Sequence, residues 1–273
     1  MKQIISKLQD MTYLHWVQAR KSSGTAGSFL KTYEDTPDGK IYYKLSNYDA
    51  YRGITGHECI NEIIVDRLLT VLGVAHLPYQ LIHAKIRIDD KPSETWLCAS
   101  RDFKQRGETK IALDAYYQAE RNPGESPLDF CIRNGWESSI YEMLVIDFLI
   151  LNRDRHGANM EVLRNRFHKS VRLAPLFDHG LSFFCRCEGE EALEKEDVMA
   201  DKPVQCFVGS RSSWENLKLI PFGKYPALHP LQEEDLLTVT GGLDSAIGNR
   251  WLERIREMIW KRWKSYESFC NQR

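Results

Sequence analysis

The sequence predicts an α+β fold with two lobes, a small β-rich N-lobe and a mostly helical C-lobe. Short strand patterns and turn signals dominate the first hundred of the 273 residues, and helical periodicity dominates the rest. Polarity rises abruptly at residues 100–103, between the two halves. We therefore place the N-lobe at residues 1–100 and the C-lobe at residues 101–273. No low-complexity linker separates them, so we expect the lobes to be tightly joined.

The bulk composition is that of an ordinary globular protein. Charged residues make up 27% and hydrophobic residues 42%, and the formal net charge is −1. This balance does not favour direct nucleic-acid binding. No window approaches ~18 consecutive apolar residues, so we expect no membrane span. The seven cysteines are scattered and odd in number, which favours reduced thiols and a cytoplasmic location.

A loop of small residues occupies positions 21–31. Two glycines among small side chains allow backbone N–H groups to converge on an anion such as a phosphate. No Gly-Lys-Ser/Thr sequence follows, so the loop is not a Walker A motif. A flexible surface loop is the alternative interpretation. The candidate nucleotide-binding residues in this loop are Ser22, Ser23, Gly24, Thr25 and Gly27.

A strand that carries a lysine follows the loop. Residues 34–39 form a strong turn signal, and residues 40–45 read as the strand that leaves it. Lys44 lies among apolar and aromatic residues, so its ammonium group needs a partner if the side chain is buried. We expect Lys44 to hold nucleotide phosphates. The alternative is a lysine that faces solvent from an edge strand.

A helix is predicted over residues 56–73 by apolar residues at helical spacing and by the glycine that ends it. Glu58 and Glu62 lie four positions apart on one face of this helix. Glu62 is the expected partner of Lys44, because a strand lysine and a helix glutamate pair in this way in kinases. Glu58 is the second choice, and a solvated glutamate is the alternative for either position.

Two further strands are predicted at residues 79–88 and 95–99, with a turn at residues 89–92 between them. The second strand runs into the polar residues 100–103, where we place the hinge between the lobes. In the C-lobe, helices are predicted at residues 113–119, 127–134 and 136–151. Asp147 is embedded in the long apolar helix, and we expect a neighbouring loop to satisfy its carboxylate.

The polar residues after this apolar helix are the clearest candidate site. Asp154 and Asn159 lie five positions apart, the spacing of a phosphotransferase catalytic loop. In such a loop the carboxylate orients the attacking hydroxyl and the amide oxygen binds Mg²⁺. His156, between them, either braces the loop or makes a merely structural hydrogen bond. Taken alone, the motif could also be a polar turn that closes a helix.

A second carboxylate, Asp178, follows 24 positions after Asp154. Residues 160–163 and 170–173 read as two short strands, so Asn159 and Asp178 would lie at the two ends of a hairpin. A rigid hairpin fixes the geometry of two metal-binding side chains. Asp178 and Asn159 are therefore the candidate metal ligands.

Two charged segments complete the chain. Residues 188–197 are strongly acidic, and we expect a solvated, mobile segment there. Residues 245–269 are predicted to form an amphipathic helix with one basic side. We interpret it as a helix that closes the domain with a solvated face, and the alternative is a surface that binds a membrane or an acidic partner. Its apolar stripe consists of Leu252, Ile255, Ile259, Trp263 and Tyr266.

With these residues in this order, the chain resembles the HipA-like serine/threonine kinases, which share a catalytic core with phosphatidylinositol 3- and 4-kinases. The residues that carry the resemblance are 152–159 and 173–178. His156 follows the aspartate here, whereas the usual protein-kinase loop places histidine before it. The sequence departs from the family in two ways. It is shorter than full-length HipA-type toxins, so we expect their N-terminal subdomain to be missing, and its loop at 22–28 lacks the usual Gln and Lys.

The resemblance implies a protein-kinase-like fold, ATP and Mg²⁺ as cofactors, and a backbone hinge near Ala99 and Ser100. Asp154 would orient the acceptor hydroxyl of a protein substrate or of the chain itself. The family also implies self-phosphorylation of the nucleotide loop, with Ser22 or Ser23 as the expected target. The antitoxin contact of HipA-type toxins is not carried over to this chain, and a regulatory partner protein stays a separate prediction. The alternatives are a small-molecule or lipid kinase with the same core and a catalytically silent nucleotide-binding protein.

Overall fold

The computed structural model describes residues 3–18 and 29–272. Within these residues, six strands form one sheet in the order β1-β7-β8-β4-β3-β2. Its strands are antiparallel except for β1, which runs parallel to β7. The strands of the N-terminal part are β1 Ile4–Asp10, β2 Val17–Gln18, β3 Leu30–Thr36, β4 Gly39–Leu45, β5 Tyr48–Asp49, β6 Gly53–Ile54, β7 Tyr79–Ile88 and β8 Lys91–Arg101.

The C-terminal part contains most of the helices and three short strand pairings. The strands there are β9 Glu108–Ala112, β10 Asp154–Arg155, β11 Glu161–Asn165, β12 Ser170–Leu173 and β13 Gln205–Cys206. The α-helices of the whole described chain are α1 Glu58–Leu72, α2 Leu113–Glu120, α3 Pro127–Arg133, α4 Glu137–Leu149, α5 Glu190–Glu194, α6 Ser213–Leu217, α7 Asp235–Thr240 and α8 Asn249–Gln272. The α+β fold expected from the sequence is confirmed.

The β7–β8 hairpin is longer than the sequence pattern suggested. Asp89 and Asp90 both have positive φ, 48° and 63°, as the two central residues of a type I′ turn require. This tight turn brings Lys91 directly opposite Ile88, so β8 begins four residues before the expected start at residue 95. The strand continues to Arg101, and the connection to the C-terminal part therefore starts at Asp102.

Helix α1 packs against β7 and β8 and is buried along nearly its whole length. Gly73 ends it in the left-handed conformation, with φ of 73°, and its N–H donates to the carbonyls of the last turn. Polar side chains of this helix are buried beside the apolar ones, so its polar side also packs against the protein. These polar residues are Glu58, Asn61, Glu62 and Asp66.

The hairpin expected near the catalytic motif is present as β11 and β12, with Asn165 opposite Ser170. The sequence did not indicate its third strand, β9, which pairs with β11 along Glu108–Ala112. Helix α4 forms the centre of the C-terminal core and ends before Leu151, whose φ is +49°. That backbone reversal turns the chain into the catalytic motif.

The acidic segment is not wholly solvated, contrary to the expectation. Residues 190–194 form α5, Leu193 is fully buried, and Glu194 pairs with Arg250 of α8. The apolar stripe of α8 is buried as expected. Its basic residues, however, make internal contacts, and Arg262 is fully buried with its guanidinium group donating to three carbonyls. No helix in the described ranges is long and apolar enough to cross a membrane.

Candidate active site

The site is built around Lys44, which β4 directs into the space between the sheet and the C-terminal part. Its side chain is 11% exposed, and Nζ lies 3.1 Å from Oε1 of Glu62. Nζ also donates to Oδ1 of Asp178. Burial alone would lower the pKa of this lysine, but the two carboxylates outweigh it and raise the pKa well above its usual value. Lys44 is therefore a fixed positive charge.

Glu62 couples α1 to the segment that carries Asp178. Its second oxygen, Oε2, accepts a hydrogen bond from the backbone N–H of His179 at 2.8 Å. The neighbouring Asn61 donates to the carbonyls of Gly180 and Ser182 at 2.8 and 3.1 Å. Burial raises the pKa of Glu62, and Lys44 opposes this. Helix α1 thus holds both the lysine and the Asp178 segment.

Glu58, the second choice for the partner of Lys44, has a different role. Its Oε2 accepts from the backbone N–H of Asn47 at 2.9 Å, beyond the end of β4. Glu58 also explains why position 180 is a glycine, since a Cβ there would lie 2.9 Å from the Cβ and 3.3 Å from the carbonyl oxygen of Glu58. Only glycine allows the Asp178 segment to approach α1 this closely.

Asp178 has φ of 58°, a conformation that aspartate and asparagine adopt more readily than most side chains. Its N–H donates to the hydroxyl of Tyr79 at 3.2 Å. Burial by itself would raise the pKa of this carboxyl, but the positive charges of Lys44 and Lys31 outweigh it and lower the pKa below its usual range. Asp178 is therefore ionised at neutral pH.

The catalytic-loop motif is folded so that its side chains contact one another. Nδ2 of Asn159 donates to the carbonyl of Asp154 at 2.8 Å and lies 3.3 Å from its Oδ2. The amide oxygen of Asn159 remains as the atom that can bind a metal. Burial raises the pKa of Asp154, and the negative charge of Asp178 adds to this shift. The two carboxylates therefore lie close enough to interact.

His156 braces this loop. Its Nδ1 accepts a hydrogen bond from the N–H of Ala158 at 3.1 Å, so the neutral ring carries its proton on Nε2. Nε2 lies 3.6 Å from Oδ1 of Asp154. The following position, 157, requires a glycine, because a Cβ there would lie 2.6 Å from the Cβ of Asp114. The position of His156 favours a role in orienting Asp154.

Arg155 holds the loop in place through its side-chain contacts, and the sequence analysis did not assign it this role. Its Nε and Nη2 each lie 2.9 Å from the carboxylate of Asp147, and Nη1 donates to the carbonyls of Asn159 and Phe177. Asn152 also donates to Asp147, at 2.9 Å. The expectation that a neighbouring loop satisfies Asp147 is confirmed. A carboxylate in an apolar helix followed by an arginine eight positions later was the only available signal.

The remaining predicted residues are placed as follows. Ala99 and Ser100 lie within β8, where they pair with Tyr43 and Tyr42 of β4, and the strand continues beyond them to Arg101. Ser22, Ser23, Gly24, Thr25 and Gly27 lie outside the described residues. The structure adds three charged side chains near the site, Lys31, Lys110 and Glu161, which the motif spacing did not reveal.

No family model and no curated protein matches this chain. Among solved structures, the chain is similar to the Helicobacter pylori proinflammatory kinase CtkA, with 14% identity, a TM-score of 0.59 and coverage of 93% of both chains. This likeness defines the fold as kinase-like.

Weaker similarity extends to two other solved structures. HipA of Shewanella oneidensis MR-1, solved with HipB and operator DNA, is 14% identical, with a TM-score of 0.43 and coverage of 91% of this chain and 59% of that chain. Hydra Fam20, solved with a sugar, is 13% identical, with a TM-score of 0.42 and coverage of 92% and 83%. Likeness at this level does not define a fold by itself.

Proposed function

We propose that this protein is an ATP-dependent phosphotransferase. The observation that carries the proposal is the contact of one buried lysine, Lys44, with both Glu62 and Asp178, beside the hydrogen-bonded pair Asp154 and Asn159. A cation held for phosphates, a carboxylate for a metal and a carboxylate for the acceptor hydroxyl are the parts that phosphoryl transfer requires. The kinase-like fold supports the same conclusion.

The donor set fits Mg²⁺. Asp178 supplies a carboxylate and Asn159 an amide oxygen, and Mg²⁺ needs few protein ligands because phosphates and waters complete its octahedron. Bound Mg²⁺ would neutralise charge on the nucleotide phosphates. The carboxylates of Glu62 and Asp178 share the single ammonium group of Lys44, which leaves the Asp178 carboxylate able to bind a cation as well.

Each residue has a defined task in this proposal. Lys44 binds the nucleotide phosphates, and Glu62 positions Lys44. Asp154 accepts a hydrogen bond from the acceptor hydroxyl and aligns its oxygen with the transferred phosphoryl group. His156 holds the Asp154 carboxylate in place. Arg155 fixes the backbone from which Asn159 and Asp178 extend.

The substrate is proposed to be a serine or threonine hydroxyl of a protein, as in HipA-like kinases, and the chain itself is one such substrate. Self-phosphorylation at Ser22 or Ser23 would add about −1.5 to −2 charges to the loop and oppose a bound nucleotide. We also propose a cytoplasmic location and a regulatory partner protein. The shared core with phosphatidylinositol 3- and 4-kinases belongs to the same proposal.

Transfer of radiolabelled γ-phosphate tests the function, with casein-type protein, lipid, water and the chain itself as acceptors. We expect Mg²⁺-dependent label on protein, and on residues 22–28 in the peptide mass spectrum. Label on lipid alone would replace the protein acceptor with a lipid one. Nucleotide binding without any transfer would indicate a catalytically silent binding protein.

The matched variant for this assay is Asp154→Asn. It should reduce transfer by about 10²–10⁴-fold, the usual contribution of a positioned general base. Nucleotide affinity should stay near that of the wild type, because Asp154 faces the acceptor rather than the phosphates. Thermal shift with ATP and Mg²⁺ checks folding and binding. A folded variant with full activity would refute the assignment of Asp154.

A further inference from the structure

Two charged side chains that no catalytic motif contains lie at this site, Lys31 on β3 and Glu161 on β11. Lys31 is directly opposite Lys44 in the antiparallel ladder of β3 and β4. Opposite residues in such a ladder project from the same face of the sheet. The Lys31 side chain therefore leaves the sheet on the side of Lys44 and Asp178. Lys31 forms no ion pair with any residue of the described ranges.

Nζ of Lys110, 3.9 Å from Oε2 of Glu161, also lies 5.5 Å from the ring centroid of Tyr42, which projects from the same face of β4 as Lys44. Asp178 and Glu161 belong to the C-terminal part, and Lys31 belongs to the sheet. Glu161 therefore lies opposite the sheet, in the same space that Lys44 enters. A ligand bound between sheet and hairpin would touch both side chains.

Glu161 also lies beside the connection between the two parts of the chain. One carboxylate oxygen, Oε2, is 3.9 Å from Nζ of Lys110, and that nitrogen is 2.9 Å from Oδ1 of Asp102. Lys110 also covers the ring of Phe103 at 3.9 Å. Asp102 and Phe103 are the first residues after β8. Glu161 thus lies between the connection at one end and the face of the sheet that carries Lys31 and Lys44 at the other.

This order matches the order of groups in a nucleoside triphosphate. The phosphates are expected at Lys44 and Asp178, and the base at the end of β8, so the ribose must lie between them. Glu161 presents carboxylate oxygens at that point, and Oε2 is buried without a hydrogen bond from any described residue. A carboxylate accepts hydrogen bonds from hydroxyl groups, and its side chain is still 24% exposed.

We infer that Glu161 accepts a hydrogen bond from a ribose hydroxyl and that Lys31 contacts the phosphate next to the ribose. The site would then select ribonucleotides over deoxyribonucleotides. This inference rests on the proposed function. It assigns the recognition of the sugar to a side chain two positions after Asn159, where the catalytic motif ends.

Calorimetry with ATP, 2′-deoxy-ATP and 3′-deoxy-ATP, each with Mg²⁺, tests the inference. The wild type should bind ATP about 10–100-fold more tightly than at least one deoxy analogue, the range for a hydrogen bond to a charged group. Glu161→Met should bind all three within about twofold of one another. Glu161→Gln, which keeps an acceptor oxygen, should discriminate to an intermediate degree and serves if the methionine variant does not fold.

Lys31→Met gives the complementary result. It should weaken all three triphosphates by a similar factor and leave the ratio between ATP and the deoxy analogues unchanged. Adenosine, which has no phosphate, should bind as it does to the wild type. The control is Glu94→Met, on β8 far from the connection, where the carboxylate pairs with His83 at the surface. It should match the wild type with every ligand.

The outcomes separate the two proposals. If the wild type binds ATP but does not distinguish it from either deoxy analogue, the sugar assignment is wrong and the kinase proposal stands. The sugar assignment is also wrong if Glu161→Met still distinguishes ATP from the deoxy analogues and only binds all three more weakly. Glu161 and Lys31 would then only attract the sheet and the C-terminal part to each other. If the wild type binds no nucleotide with Mg²⁺, the proposed function itself fails.

Discussion

Two groups of buried charges flank the loop of residues 152–159, and they differ in how many partners each charge has. Beneath the loop, Arg155 and Asp147 form a one-to-one pair in which the guanidinium group also donates to two backbone carbonyls. Above it, the single ammonium group of Lys44 contacts both Glu62 and Asp178. The first group is complete within the protein. In the second, one ammonium group is shared between two carboxylates.

This difference separates architecture from function. A buried pair with all its hydrogen bonds made holds the backbone and has nothing left to offer a ligand. A buried lysine shared between two carboxylates, with Asp154 nearby, leaves oxygen atoms that a cation can bind. The number of partners that each charge has therefore indicates which group is the candidate site. Each variant below disturbs one of the two groups, or a control residue beside it.

The largest effect on stability is expected for Arg155→Ala. The variant leaves the carboxylate of Asp147 buried without its partner, which typically costs about 3–5 kcal/mol. Chemical denaturation measures the loss. The control is Arg250→Ala, whose guanidinium group pairs with Glu194 through two hydrogen bonds while both side chains are more than 40% exposed. We expect about 1 kcal/mol or less there. Equal losses in the two variants would contradict the structural role of Arg155.

A smaller effect, on catalysis, is expected for Glu62→Gln. Removal of its charge frees Lys44 from one of its two partners, and we expect kcat/KM for phosphoryl transfer to fall about 10–100-fold. Glu58→Gln is the matched control, one turn earlier in α1, where an amide oxygen can still accept from Asn47. Its kcat/KM should stay within about threefold of the wild type. If both variants lost the same activity, the lysine–glutamate pair would have no special role.

A third effect concerns pH and lies away from both groups. Burial lowers the pKa of His57 to about 4, from its ordinary 6.5. The unfolded chain takes up a proton below about 6.5 and the folded one does not, so the contribution to stability is complete above 6.5 and is lost as the pH falls towards 4. The loss can reach about 3 kcal/mol.

His57→Phe should flatten this slope while keeping the ring contact with Trp251, which is 4.6 Å between centroids in the wild type. Denaturation of both proteins from pH 7 to pH 4.5 checks the prediction. His179 is buried too and its pKa is also lowered, so only the difference between the two proteins is informative. Identical slopes would show that His57 does not titrate as expected.

The sequence predicted the parts of the site that depend on short spacing or on strong periodicity. The bounds of α1 and the choice of Glu62 over Glu58 as the contact of Lys44 agree with the structure, because a buried helix and a buried lysine each leave a clear local pattern. The hairpin between Asn159 and Asp178 was also predicted. Its two strands alternate clearly around a turn.

Features stabilised by distant contacts were missed. Strand β1 gives a weak pattern, because it lies at the edge of the sheet and most of its side chains are exposed or half-buried. Residue 31 was assigned to a loop and residues 34–36 to a turn, so β3 was missed and Lys31 was not recognised as facing the site. The acidic segment was expected to be solvated because of its high charge. Its contact with α8 was missed, because Arg250 lies 56 positions after Glu194 in the sequence. No local signal reports such contacts.

The most direct test of the central claim is Mg²⁺-dependent ATP binding to Asp178→Asn. Asparagine tolerates the positive φ of this position, so the variant removes the charge without straining the backbone. Calorimetry at several Mg²⁺ concentrations should show ATP affinity that rises with Mg²⁺ in the wild type and in Glu58→Gln. In Asp178→Asn it should be at least about tenfold weaker and nearly independent of Mg²⁺. Wild-type affinity and Mg²⁺ dependence in a folded Asp178→Asn protein would contradict the assignment of the metal and nucleotide site.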